Sequence, residues 1–279
     1  MAETLTEMPS VNLPDLLSAY PISADQSAEY QKNGHICLRN VASSEEVRAY
    51  RVAILHAVER SNTETRPLEE RDTYGKAFLQ IPNLWRGDEA VCRFVLARRF
   101  AKIAADLMGV DGVRLYHDQA LFKEPGGGRT PWHQDQGYWP LDTSDTITMW
   151  MPLVNVGRQP GTMTFASQSH ALGYLGDLPI SDKSDVEFQK FVEERGYSLH
   201  THGAMAAGDA TFHAGWTLHS APGNPTEMMR EVMTVIYFAD GTRVAQPENA
   251  QQENDLRGCL PGLQPGDMAA SEINPLVYP

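Results

Sequence analysis

A chain of 279 residues, 42% hydrophobic and 21% charged, carries enough apolar material for one large domain or two small ones, and its composition is that of a folded protein. Its formal net charge of -13 argues against a general binder of nucleic acid or anionic membrane, since either requires a positive field. The opening MAETLTEMPS lacks a basic region followed by an apolar run, and no stretch reaches the roughly 18 apolar residues of a membrane helix. Three scattered cysteines (Cys37, Cys92, Cys259) form no disulfide framework, so the expectation is a cytoplasmic protein.

In chain order, SADQSAEYQKNG predicts a capped helix ending at Gly34, followed by a strand in HICLRNV. SSEEVRAYRVAILHAVERS predicts a helix with Ser43 or Ser44 as N-cap and acidic residues in its first turn. DEAVCRFVLARRFAKIAADLMG predicts one more helix, stopped by Gly109. From VRLYHDQALFKEP onward the pattern changes to short β-type runs broken by Gly and Pro. SDVEFQKFVEERG interrupts them with a helical pattern, a Ser184/Glu187 capping pair and an apolar stripe of Phe188, Phe191 and Val192. The resulting expectation is a single α+β domain with a mainly β core. It has a helix-rich flank over 1–110, a β core over 111–245 with a helical insert at 181–196, and an extended covering arm over 246–279.

TPWHQDQGYWPLD holds the residues with the clearest chemistry. His133 and Asp135, two apart on a strand, project from one face. A reactive mononuclear metal site needs a third protein ligand and open positions beside it. His200 and His202 share the i, i+2 spacing but have no glutamate nearby to complete a site. His213 and His219, in GDATFHAGWTLHSAPGN, are the stronger candidates. A hairpin turning at APGNP would set His219 opposite Arg230 and His213 opposite Ile236. Arginine grips a carboxylate through two parallel hydrogen bonds, so His219 is preferred, and a carboxylate-bearing molecule is expected at the metal. His213 and His117 read as structural histidines. Glu124 to Thr130, EPGGGRT, reads as a mobile gate or a plain flexible loop.

The ordered set His133-x-Asp135, His219 and Arg230 resembles the phytanoyl-CoA dioxygenase family of iron(II)- and 2-oxoglutarate-dependent oxygenases. The similarity extends through GTMTFASQSH, YFADGTRVAQP and NPLVY, roughly Tyr30 to Tyr278. The resemblance implies a double-stranded β-helix (jelly-roll, cupin-like) backed by N-terminal helices, with His133, Asp135 and His219 as metal ligands. It implies 2-oxoglutarate and O2 as cosubstrates, with Arg230 on the far carboxylate and Gln119 and Trp150 beside it. Gln80 is a weaker match to a family lysine. Ala221 stands where the family often has a serine. Tyr138, Trp139 and Arg243 are candidates for contacting a small-molecule substrate. Halogenating relatives have a small residue in place of the carboxylate ligand, so Asp135 implies hydroxylation or a closely related oxidation. The competing reading is a jelly-roll protein holding zinc or nickel without redox turnover.

Overall fold

The computed structural model describes residues 13–157, 162–176 and 179–279; the opening decapeptide lies outside them. Helix α1 (Ala24–Asn33) begins at Ser23, whose hydroxyl accepts the Gln26 N–H while the Gln26 side chain accepts the Ser23 N–H. It ends at Gly34, where a φ of 77° suits a residue without a Cβ. Strand β1 (His35–Leu38) and helix α2 (Ser44–Ser61, capped by Ser43) follow, then α3 (Thr73–Ala77) and β2 (Leu79–Pro82). The single helix expected before Gly109 is two, α4 (Glu89–Val95) and α5 (Arg98–Met108), with the break at Leu96–Ala97. Apolar periodicity runs through a break of this kind because both pieces bury the same face.

Next come β3 (Val113–Phe122), β4 (Thr130–His133), β5 (Thr146–Pro152), β6 (Thr164–Ala166) and helix α6 (Asp182–Arg195). Strands β7 (Leu199–Thr201), β8 (Ala210–Ala214), β9 (His219–Ala221) and β10 (Val232–Ala239) lead to helix α7 (Ala250–Cys259) and β11 (Leu276–Tyr278). The strands form two antiparallel sheets. The larger has the order β1-β8-β5-β10-β3-β11, with β2 also on β3; the smaller is β4-β9-β6-β7. This is the expected jelly-roll with helices behind it.

Strand alternation decides what faces the site. In TITMWMP of β5, Ile147, Met149 and Met151 join Tyr50, Ile54, Phe100 and Ile103 in the core between the large sheet and α2 and α5. The alternate Thr148 and Trp150 line the space between the sheets. Strand β10 divides in the same way, with Met233, Val235 and Tyr237 outward and Thr234 and Ile236 inward.

Two further expectations change. The cap of α6 is Ser181 with Ser184, one turn earlier than predicted. The segment after 246 is not simply extended: Asn249 caps α7, and Leu256, Cys259 and Leu260 pack against Tyr116, Trp139 and Phe238. Pro, Gly and polar residues dominate that segment, which hides one short helix between two irregular stretches. No helix among the described residues is long and apolar enough to cross a membrane.

Candidate metal centre and its two cavities

Strands β4 and β9 pair so that His133 and His219 are directly opposed, which points both side chains to one face. Their rings lie 4.1 Å apart. Each imidazole turns Nδ1 to a backbone carbonyl two residues earlier, His133 to Pro131 at 2.8 Å and His219 to Thr217 at 3.0 Å. A carbonyl only accepts, so each Nδ1 carries the proton and each Nε2 presents its lone pair to the site.

Strand β4 stops at His133, and Asp135 opens a 3-10 turn, Asp135–Tyr138, instead of continuing the strand as expected. The turn brings Oδ1 to 3.5 Å from His133 Nε2 and 3.7 Å from His219 Nε2. Its other oxygen accepts from Thr148 Oγ1 at 2.9 Å and His213 Nε2 at 3.0 Å. Burial raises the carboxyl pKa, but the facing histidines and their hydrogen bonds outweigh it and hold Asp135 well below the usual carboxylate range. Burial and the neighbouring His133 keep His219 well below the usual histidine range, and therefore neutral. Two imidazole nitrogens and a carboxylate oxygen within 4.8 Å of one another fit a divalent transition metal.

Helix α6 braces this strand. Trp132 donates its backbone N–H to Asp185 at 3.1 Å and its indole N–H to Gln189 at 2.7 Å, and packs with Phe188 and Val192. The 124–130 loop is tied down at Gly126 and Gly127 to Asn224, at Gly128 to Lys76, and at Glu124 to Arg71. It is not the free segment its glycines suggest.

Between the sheets, an inner cavity of about 60 Å³ reaches from the three ligands to Arg230. Arg230 is buried, with its guanidinium 5.4 Å from the Trp150 ring. Burial lowers its pKa to about 10, so it remains a cation. Behind it Lys123, fully buried, donates to Gly128 O and Thr130 Oγ1; burial and the Arg230 charge lower its pKa to about 7. The other side of the ligands opens into a larger cavity of about 360 Å³. Gln119 lines both cavities, whereas Gln80 lines only the outer one, where it donates to Gln119 and accepts from Tyr74 at 2.6 Å. Tyr138 and Trp139 also line the outer cavity.

The hairpin that linked His219 to Arg230 does not form. His219 belongs to the small sheet, while Arg230 bridges Lys123 just before β10 of the large one. No turn closes at APGNP: the chain bends later, at 226–228, where the Asn224 side chain bonds Thr226 and Met228, and it crosses between sheets, so the two side chains meet only across the inner cavity. His213 pairs with Thr148 and His35, not Ile236, and its contact with Asp135 gives it a place beside the site. Arg243 lines neither cavity: it is exposed and donates to Gly266 O at 2.7 Å. Sequence reasoning missed Thr148 and Lys123. Alternation along TITMWMP could have found Thr148, but nothing in the local sequence marks Lys123.

Comparison with known proteins gives a consistent result. The phytanoyl-CoA dioxygenase family model matches residues 30–232. A probable alpha-ketoglutarate-dependent hypophosphite dioxygenase of Stutzerimonas stutzeri is 24% identical over 235 residues, 77% of this chain and 78% of the relative. A probable phytanoyl-CoA dioxygenase of Caenorhabditis elegans is 22% identical over 259 residues, 83% and 80% of the two chains. The non-heme alpha ketoglutarate dependent carbocyclase SnoK superimposes with a TM-score of 0.75 at 25% identity, covering 92% of this chain and 97% of its own. EctD from S. alaskensis, solved with 2-oxoglutarate and 5-hydroxyectoine, gives 0.66 at 18% identity over 86% of each chain.

Proposed function

The chain belongs to the phytanoyl-CoA dioxygenase family and is an iron(II)- and 2-oxoglutarate-dependent dioxygenase; within that class we propose that His133, Asp135 and His219 hold the metal and Arg230 holds the cosubstrate. The supporting observation is the donor set itself, two imidazole lone pairs and one carboxylate oxygen converging within 4.8 Å. When bound, iron(II) supplies the chemistry by which dioxygen converts 2-oxoglutarate to succinate and carbon dioxide and oxidises a C–H bond of a small-molecule substrate.

The protein's part is positioning. The Pro131 and Thr217 carbonyls fix the two imidazole tautomers, and Thr148 and His213 fix one carboxylate oxygen while the other faces the histidines. Arg230, at the closed end of the inner cavity, pairs with the far carboxylate of the keto acid, and Trp150 flanks it. Because Asp135 supplies a carboxylate, the expected outcome is hydroxylation or a closely related oxidation, and product analysis in the presence of chloride should show no halogenated main product. We place the protein in the cytoplasm, in keeping with its three free cysteines. The test of the reading is succinate formation that requires 2-oxoglutarate, iron(II) and air together. A protein that binds metal but forms no succinate under any of these conditions would instead be the non-redox jelly-roll.

A further inference from the structure

The outer cavity has a chemistry of its own. Where β3 pairs with β10 the register shifts by one residue at Tyr116, and Leu115 before the shift turns to the helix-side core. Tyr116 and the next residue, His117, both turn to the inner side, an arrangement that bulges provide beside active sites. Helix α7 lies over them and brings Asp255 and, one turn later, Cys259 into the same wall. The Tyr116 hydroxyl donates to Asp255 at 3.0 Å. His117 turns Nδ1 to the Asp118 carbonyl at 3.4 Å, leaving Nε2 as its acceptor atom. Burial lowers the His117 pKa to about 4 and raises that of Asp255 to about 6, so at neutral pH one is a neutral acceptor and the other a carboxylate.

No lysine or arginine is among the described residues lining this cavity. Arg66 and Arg71, in the adjoining groove that shares Tyr74, Phe78 and Gln80 with this cavity, are already paired with Glu64 and Glu124, and Arg257 on α7 is exposed and donates to Asn254. On the side facing the ligands, Asp135 and a dianionic cosubstrate offset the charge of a bound metal. Tyr74, Phe78, Tyr138 and Trp139 supply aromatic faces to the remainder. Acceptors, aromatic rings and a carboxylate outside the ligand set together suit a cation that can donate hydrogen bonds, and disfavour a carboxylate, a phosphate or a coenzyme A thioester.

Resting on the oxygenase reading above, we propose that the substrate is a small molecule bearing a protonated primary or secondary amine, which Asp255 and His117 receive in the outer cavity. The amine fixes the orientation of the substrate, and the C–H bond to be oxidised lies on the side toward Asp135.

The test is anaerobic calorimetry on the full chain loaded with iron(II) and 2-oxoglutarate, using benzylamine, benzyl alcohol and benzoate as probes of matched shape. Benzylamine should bind, and benzyl alcohol and benzoate should bind at least about tenfold more weakly. The isosteric Asp255→Asn should weaken benzylamine about tenfold or more while leaving iron and 2-oxoglutarate binding unchanged. His117→Gln should weaken it less. Absence of benzylamine binding, equal binding of benzoate, or an unaffected Asp255→Asn variant would overturn the proposal. A second equivalent of metal lost in Asp255→Asn would also overturn it, by assigning His117, Asp255 and Cys259 to a metal. Failure to load iron or 2-oxoglutarate at all would count against the oxygenase reading instead, so the two failures are distinguishable.

Discussion

The two cavities that meet at His133 and Asp135 are electrostatic opposites. The inner one ends on Arg230, with Lys123 behind it, whereas the outer one carries Asp255 and no lysine or arginine among the described residues. They share β3 and β4: Gln119 and Leu121 touch both, and His117, earlier on β3, lines only the outer one. A sheet can thus separate an anion site from a site suited to cations by a few residues of one strand. The price is a buried arginine and a buried lysine at one end and a carboxylate with an elevated pKa at the other. Opposite polarity also offers a reason why a dicarboxylate and a differently charged substrate would not exchange places.

The largest expected effect tests the point where the cavities meet. His133→Ala or His219→Ala should abolish both iron(II) binding and succinate formation, because the loss of one of three ligands removes the site. Retention of stoichiometric iron in either variant would move the metal elsewhere. His213→Ala removes one of two donors to the outer oxygen of Asp135 and leaves Thr148 in place. It should lower metal affinity about ten- to a hundredfold without abolishing it, and a complete loss would make His213 a ligand. At the inner end, Arg230→Ala should raise the 2-oxoglutarate requirement about tenfold or more, from a charge-assisted pair worth roughly 1.5–3 kcal/mol. Iron content should stay near normal, and an unchanged cosubstrate requirement would remove Arg230 from the account.

The smallest effect concerns a third, neutral wall. Behind Phe165, His35 contacts His202 at 3.1 Å and Ser167 at 2.9 Å, and His202 contacts His200 at 3.2 Å. Burial and the neighbouring histidines lower His35 to about 3 and His202 to about 4. Both values lie below the roughly 6.5 of an unfolded histidine, so their contribution to stability is complete above about pH 6.5 and is lost as pH falls toward 3–4. Thermal unfolding should therefore shift to lower temperature across that window, and less steeply in His35→Asn. Parallel curves for the two proteins would show that His35 does not titrate on unfolding.

The inner half of this site was far more legible in the sequence than the outer half. His133-x-Asp135 is local, and His219 and Arg230 follow in the order that the family resemblance requires, so those residues could be named without knowing how the strands pair. Their predicted pairing across one hairpin is nonetheless absent, because an antiparallel turn signal does not say whether the chain returns to the same sheet or crosses to the other. The outer half depends on α7, whose ten residues sit in a segment dominated by Pro, Gly and polar residues, and on a one-residue register shift at Tyr116. The cap Asn249 is the one mark of α7 in a segment that otherwise reads as irregular, and the register shift has no local sequence signature. The same holds for the break between α4 and α5, where one apolar stripe crosses two helices.

If His133, Asp135 and His219 form the iron site of an oxygenase, the full chain with iron(II) should produce succinate from 2-oxoglutarate. Parallel reactions would use air or its exclusion, with His219→Ala and His213→Ala alongside. Succinate should form only with iron(II) and air together, not at all from His219→Ala, and in reduced but measurable amount from His213→Ala. Succinate formed equally well by His219→Ala and by the unmutated protein would contradict this assignment of the site.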